Sequence, residues 1–305
     1  MKPKIIQLVD SLEYVHSNCF QHQLLDALRS KADVTQVTVA ELHNSKVPAN
    51  TSHVVSCLKM RTVHRSIGAL NSYLSNCPLV MYEQDPWHGY MDGSPYNGIF
   101  ALIGQQLNLS FVAVTTRWWA EYMEAHSVSA RFVKMWMLPQ YCDRGPPLID
   151  RHIELGFIGS MHPHRRKLID LLDDAGMPVN ASGGYDYRGY LNALHRIKVY
   201  VHSEDCPFTI AGAPHNLNDG LWAREIEVGA RGCISIRNWG VEHSSYVNDH
   251  VKNTFLYQRP EEVPGIIKTI SQMDPIELQE RINSTVEYIR DSDEWSRTAE
   301  VLIRG

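Results

Sequence analysis

The chain has 305 residues, 44% of them hydrophobic and 21% charged, with a formal net charge of −5. That composition excludes a disordered chain and gives length enough for two domains of about 150 residues each. The negative charge argues against a bulk electrostatic grip on nucleic acid or anionic membrane, so no nucleic-acid partner is expected, although a local basic pocket remains open.

The apolar stretch near the N-terminus is about five residues long, too short for a signal-peptide core and without a small-residue cleavage site. No run of about 18 apolar residues occurs, so no transmembrane segment is expected. The six cysteines (Cys19, Cys57, Cys77, Cys142, Cys206 and Cys233) form no C-x-x-C pair. In a chain without an export signal they read as reduced thiols, and a cytoplasmic location is the expectation. Fifteen histidines invite a metal reading, yet there is no H-E-x-x-H, and the close pair His162 and His164 lacks nearby acidic or cysteine ligands. A structural zinc needs four converging ligands, so no metal is expected.

In chain order, short β-branched runs alternate with amphipathic stretches, the pattern of a doubly wound parallel sheet. The first half predicts strands at 5–9, 34–39, 54–58, 79–82, 111–114 and 132–136, with helices at 19–29, 63–74, 97–106 and 118–125. The runs at 78–82 and 111–114 are continuously apolar, as buried parallel strands are. Three prolines and a glycine within 138–147 can continue neither element, so a boundary is placed there, giving domains 1–145 and 146–305. Beyond it a strand at 155–159 leads into a helix at 163–175, whose Leu168, Leu171, Leu172 and Ala175 share a face. Strands at 199–202 and 233–236 bracket a helix beginning near Asp219, and the tail from about 260 is mostly helical.

Several signatures are missing: no G-x-x-x-x-G-K-[ST], no G-x-G-x-x-G after a strand, no G-x-S-x-G. Their absence removes the main support for kinase-type, dinucleotide-dependent and hydrolytic chemistry. The single D-x-D triplet, Asp291-Ser-Asp293, lies between helical stretches and reads as an N-cap.

Two segments carry chemistry. In the first, a strand delivers the turn Gly159-Ser160 into a helix whose first turn holds Arg165, Arg166 and Lys167. Cations there oppose the helix dipole. Either an anionic ligand such as a diphosphate resolves the conflict, or the side chains lie outward in water. The second segment, 218–232, places Glu227 eight positions after Asp219. A carboxylate there can accept hydrogen bonds from two vicinal sugar hydroxyls; otherwise Glu225 and Glu227 are both solvated on a surface helix.

Taken together, Gly156-Phe-Ile-Gly-Ser160 with Arg165, the stretch 190–201, Glu227-Val-Gly-Ala-Arg-Gly232 and the closing 294–302 resemble the donor domain of GT-B glycosyltransferases, particularly the spore-maturation-protein-like group. The match covers about residues 151–305. The resemblance implies two Rossmann-like doubly wound α/β domains facing across a cleft, with a C-terminal helical tail. It further implies that Glu227 binds the ribose of a nucleotide-diphosphate sugar, and that Arg165 or its neighbours meet the diphosphate. Asp219 takes the place of the first acid of the wider Glu-x7-Glu motif, one methylene shorter than the family's residue.

In the first half, 82–96 is rich in aromatic, Pro and Gly residues and directly follows an apolar strand, where ligands of such sheets bind. Glu83, Asp85 and His88 are therefore candidate acceptor-site groups, with Asp10 and His16 after the first strand as further candidates; a well-packed crossover is the alternative. The expected activity is metal-independent sugar transfer, without cofactor, from a nucleotide-diphosphate sugar to an acceptor hydroxyl or amine. If it inverts, Asp85 is the expected base, with His88 or Asp10 behind it; inversion and retention remain open. A sugar-nucleotide epimerase or hydrolase on the same fold, or a two-lobed binding protein, are the competing readings.

Overall fold

Two parallel sheets organise the chain in the computed structural model, which describes residues 2–13, 19–216, 223–240 and 251–304. The first contains β1 (Lys4–Val9), β2 (Asp33–Thr38), β3 (His53–Ser56), β4 (Leu79–Glu83), β5 (Leu109–Val114) and β6 (Ala130–Phe132), in the spatial order β2-β1-β3-β4-β5-β6. Between the strands run α1 (Cys19–Lys31), α2 (Met60–Leu74), α3 (Ile99–Gln106) and α4 (Arg117–Ala125). Alternate residues of β1 go to opposite faces. Ile5 and Val9 pack with Leu24 and Leu28 of α1, while Ile6 and Leu8 pack with Val63 and Leu70 of α2 and Ile103 of α3. Covering both faces is why these strands read as almost unbroken apolar runs.

The second sheet has the order β13-β12-β9-β7-β8, built from β7 (Ile153–Ile158), β8 (Asn180–Ser182), β9 (Ile197–His202), β12 (Ile234–Asn238) and β13 (Thr254–Tyr257). An antiparallel hairpin, β10 (Pro207–Ile210) and β11 (Ala213–Asn216), stands apart from it. Its helices are α5 (Pro163–Asp174), α6 (Tyr187–Leu194), α7 (Ala223–Ala230), α8 (Val263–Gln272), α9 (Pro275–Asp291) and α10 (Glu294–Ile303). No helix among the described residues is long and apolar enough to cross a membrane.

Two elements tie the halves together. The β10–β11 hairpin reaches the first lobe, where the Asp92 carboxylate accepts from the backbone N–H groups of Ala211 and Gly212, both at 2.9 Å. Its Ile210 is buried in the first lobe's core. At the other end, α10 lies against α1. Trp295 packs near Tyr82 of β4, and the Thr298 hydroxyl donates to the Lys134 carbonyl.

Most expected strands and helices are found within a few residues of their predicted places. The strand expected at 132–136 ends instead at Phe132, because the chain leaves the sheet edge after Val133 and runs toward the C-terminal helices. There the Trp136 indole donates to the Ile289 carbonyl. The short β8 and β13 and the hairpin have no counterpart in the sequence reading. Asp219 and His16, and the expected beginning of the helix near Asp219, lie outside the described residues.

Candidate functional site

In both sheets the order reverses next to the first strand, between β1 and β3 and between β7 and β9. Ligands of open parallel sheets bind beyond the carboxyl ends of strands at such points. A cavity of about 740 Å³ lies there, with walls from both lobes. Cys19, Gln84, Asp85 and Trp87 line it from the first; Gly159, Ser160, Arg165, Glu204, Arg224 and Glu227 are among those lining it from the second.

The three cations at the start of α5 separate. Arg165 turns inward and is buried, and its Nη2 donates to both Glu204 oxygens at 2.7 and 2.9 Å. Its Nη1 donates to the Ser160 carbonyl at 3.0 Å. Arg166 and Lys167 are exposed and do not line the cavity, because one residue along a helix is a turn of 100° away.

Glu204 also receives Arg224 Nη1 at 2.8 Å, so one carboxylate is shared by two guanidinium groups. Burial works against the charge of Arg224, but the neighbouring Tyr200 and Glu204 more than restore it and raise its pKa. The buried Arg224 Nε has no hydrogen-bond partner among the described residues. Gly159 permits this approach: its φ is +151°, and a Cβ there would stand 3.3 Å from Arg224 Nη2.

Glu227 and Glu225 are both buried, which removes the solvated-helix alternative. Glu225 points into the protein, where its Oε1 accepts from Arg237 Nη1 at 2.6 Å. Glu227 faces the cavity. The Cys19 thiol donates to it from the first lobe at 3.7 Å, and burial together with the Glu227 charge pushes that thiol's pKa well up. The phenol of Tyr190, raised by burial and by Glu227, is a further neighbour of that carboxylate. The rest of the Glu227-x-x-Ala230-x-Gly232 segment is structural. Ala230 is fully buried, and Gly232 has φ +72° with its α-carbon against the Arg144 carbonyl, where any Cβ would collide.

Across the cavity, Asp85 is open to the space between the lobes, and its Oδ1 accepts from the Trp87 indole at 3.4 Å. Desolvation, reinforced by the charge of Glu204, raises its pKa to about 6. Glu83 is buried behind it and takes the Asp85 N–H at 2.8 Å. Burial and the Asp85 charge raise Glu83 to about 8, so near neutrality Glu83 holds a proton and Asp85 carries the charge. Two candidates lie elsewhere. The His88 ring stacks on Trp87 with centroids 3.5 Å apart, outside the lining. Asp10 is engaged by the Lys59 N–H at 2.9 Å and by the Thr62 hydroxyl, holding the start of α2.

Glu204 and Arg224 were not singled out from the sequence, though signals existed. Arg224 stands three positions before Glu227, which puts both on one helix face. Glu204 follows the end of β9, where the switch-point rule looks for ligands.

The architecture matches known structures over its full length. An α-glucosyltransferase in complex with UDP-glucose and DNA containing an abasic site superposes with a TM-score of 0.66 at 12% identity, covering 99% of each chain. HepE from Anabaena in complex with UDP-glucose gives 0.69 at 12% identity, covering 99% of each. A glycosyltransferase from Rickettsia africae gives 0.63 at 11% identity, covering 99% of this chain and 98% of that one. This is the GT-B glycosyltransferase fold. No family model and no curated protein matches the sequence, so the likeness to the spore-maturation group has no support beyond the motifs themselves.

The exclusion of nucleic acid, drawn from the net charge, is overturned. An α-glucosyltransferase of this same fold is seen with DNA in several complexes. Net charge is a sum over the whole surface, whereas association follows the local field at the binding face.

Proposed function

We propose that the protein transfers a sugar from a nucleoside diphosphate sugar to an acceptor hydroxyl or amine, without metal or cofactor. The observation that carries this reading is the pairing, in one interlobe cavity, of buried Glu227 with the Arg165–Glu204–Arg224 cluster. Glu227 offers two oxygens to the vicinal hydroxyls of a ribose. Two guanidinium groups against one carboxylate leave a positive surplus, which suits a diphosphate leaving group and fills the role of a metal. Arg224, whose Nε has no partner among the described residues, is the group best suited to that task. UDP-glucose bound by HepE supports a uridine donor, and the Gly159-Ser160 turn at the start of α5 supports contact with the phosphates.

Asp85 lines the same cavity and is the proposed base for the acceptor if the reaction inverts, its pKa of about 6 leaving it ionised near neutrality. The narrower assignment to the spore-maturation-like group rests on the four motif segments alone.

Titration calorimetry with UDP-, GDP- and TDP-sugars on the wild type and on Glu227→Ala tests the donor site. One nucleotide should bind, and the variant should lose at least tenfold in affinity with its thermal unfolding still cooperative. Arg224→Lys, which keeps the charge, should weaken binding less than Arg224→Ala. Absence of any nucleotide binding, or unchanged binding by a folded Glu227→Ala, would sink the reading.

A further inference from the structure

Outside the donor cavity, the cations of α2 have no assigned work. Arg61 and Arg65 are exposed, Lys59 is half-buried at the helix start, and none of the three side chains has a partner among the described residues. Arg61 and Arg65 are four residues apart and share a helix face. The first turn of α2 has no acid, and the carboxylate that meets the helix start, Asp10, is already taken by the Lys59 N–H and the Thr62 hydroxyl. These residues are not in the donor cavity's wall, so the diphosphate does not account for them.

From the same helix turn a row of rings leads to the cavity. His64 meets Tyr96 edge-on at 5.7 Å, Tyr96 meets His88 at 6.2 Å, and His88 stacks on Trp87 at 3.5 Å. Trp87 lines the cavity beside Asp85. Exposed cations at one end and flat rings running toward the reaction centre are the two components of a single-strand nucleic-acid track, in which phosphates meet cations and bases stack on rings. A neutral glycan would use the rings and leave Arg61 and Arg65 idle. A duplex keeps its base faces stacked on one another and out of reach of a row of rings.

We propose that the face formed by the first two turns of α2 and the Tyr96–His88–Trp87 row binds single-stranded nucleic acid and directs it toward Asp85 as the acceptor. The acceptor role rests on the glycosyl-transfer reading above; the binding itself does not. Fluorescence anisotropy with the full chain and a fluorescein-labelled oligodeoxythymidylate of about twenty nucleotides tests it. The wild type should bind, and the double variant R61A/R65A should lose at least tenfold, with the salt slope flattened by about 1.4. Tyr96→Ala should weaken binding separately, with its thermal unfolding still cooperative. Donor calorimetry on R61A/R65A should match the wild type. No binding by the wild type, equal binding by R61A/R65A, tighter binding of a duplex of the same length, or displacement by heparin together with no effect of Tyr96→Ala would each overturn the proposal. Oligonucleotide binding without any nucleotide-sugar binding would leave this face standing and remove the donor reading; the reverse would remove this face alone.

Discussion

Glu83 and Asp85 show how two carboxyls on one strand end take different states. The buried Glu83 is displaced from 4.5 to about 8 and Asp85 from 3.8 to about 6, each first by desolvation. With Asp85 as base, turnover should fall as pH drops through about 6. Asp85→Asn should lower kcat by about 10²- to 10⁴-fold while donor affinity stays within about twofold, as rate and calorimetry would show. For Glu83 the folded state keeps a proton that the unfolded chain releases. Stability on its account is therefore full below pH 4.5 and declines as pH rises toward about 8. Glu83→Gln removes that loss, so its melting temperature should gain on the wild type as pH is raised across this window. Both carboxyls were legible as candidates from their place after an apolar strand. Their protonation was not, since it depends on which groups surround them in three dimensions.

At the scale of elements, the β10–β11 hairpin joins the donor cluster to the first lobe. Its root follows Glu204, and its tip is held by Asp92 accepting from Ala211 and Gly212. Ala211 has φ +49°, a conformation that L-residues adopt reluctantly and that these two hydrogen bonds help hold. In Asp92→Ala the amides of Ala211 and Gly212 should exchange hydrogen about tenfold faster or more, with those of β9 unchanged, as measured by mass spectrometry. Unchanged exchange at the tip would mean that the core contact of Ile210 holds the hairpin by itself. The α5 cations make the complementary point. The sequence shows three adjacent cations against a helix dipole, but the helical turn sends Arg165 to Glu204 and the next two residues to solvent.

At the scale of the molecule, one apolar cluster runs through both lobes, from Val9, Leu24 and Phe111 to Tyr190, Ile226 and Trp295. The last helix therefore belongs to the packing of the first lobe as much as to its own. Trp295→Ala should cost about 3–5 kcal/mol and lower the melting temperature of the whole chain in calorimetry, because it empties a site between α10 and β4. A separate transition for one lobe, with the other unaffected, would contradict that continuity.

The alternation of strand and helix, the burial of the parallel strands and the chemical character of the segment around Glu227 were all readable from the chain. They are written in local periodicity and in residue types over a few turns. The sheet orders, the pairing of Arg165 and Arg224 on Glu204, the closeness of Cys19 to Glu227 and the return of α10 to the first lobe were not. Each joins residues tens to hundreds of positions apart, and nothing in local spacing encodes which distant surfaces meet. Nor does a net charge of −5 report where the cations stand: it led away from nucleic acid, while Arg61 and Arg65 lie together on one face of α2 without a partner among the described residues.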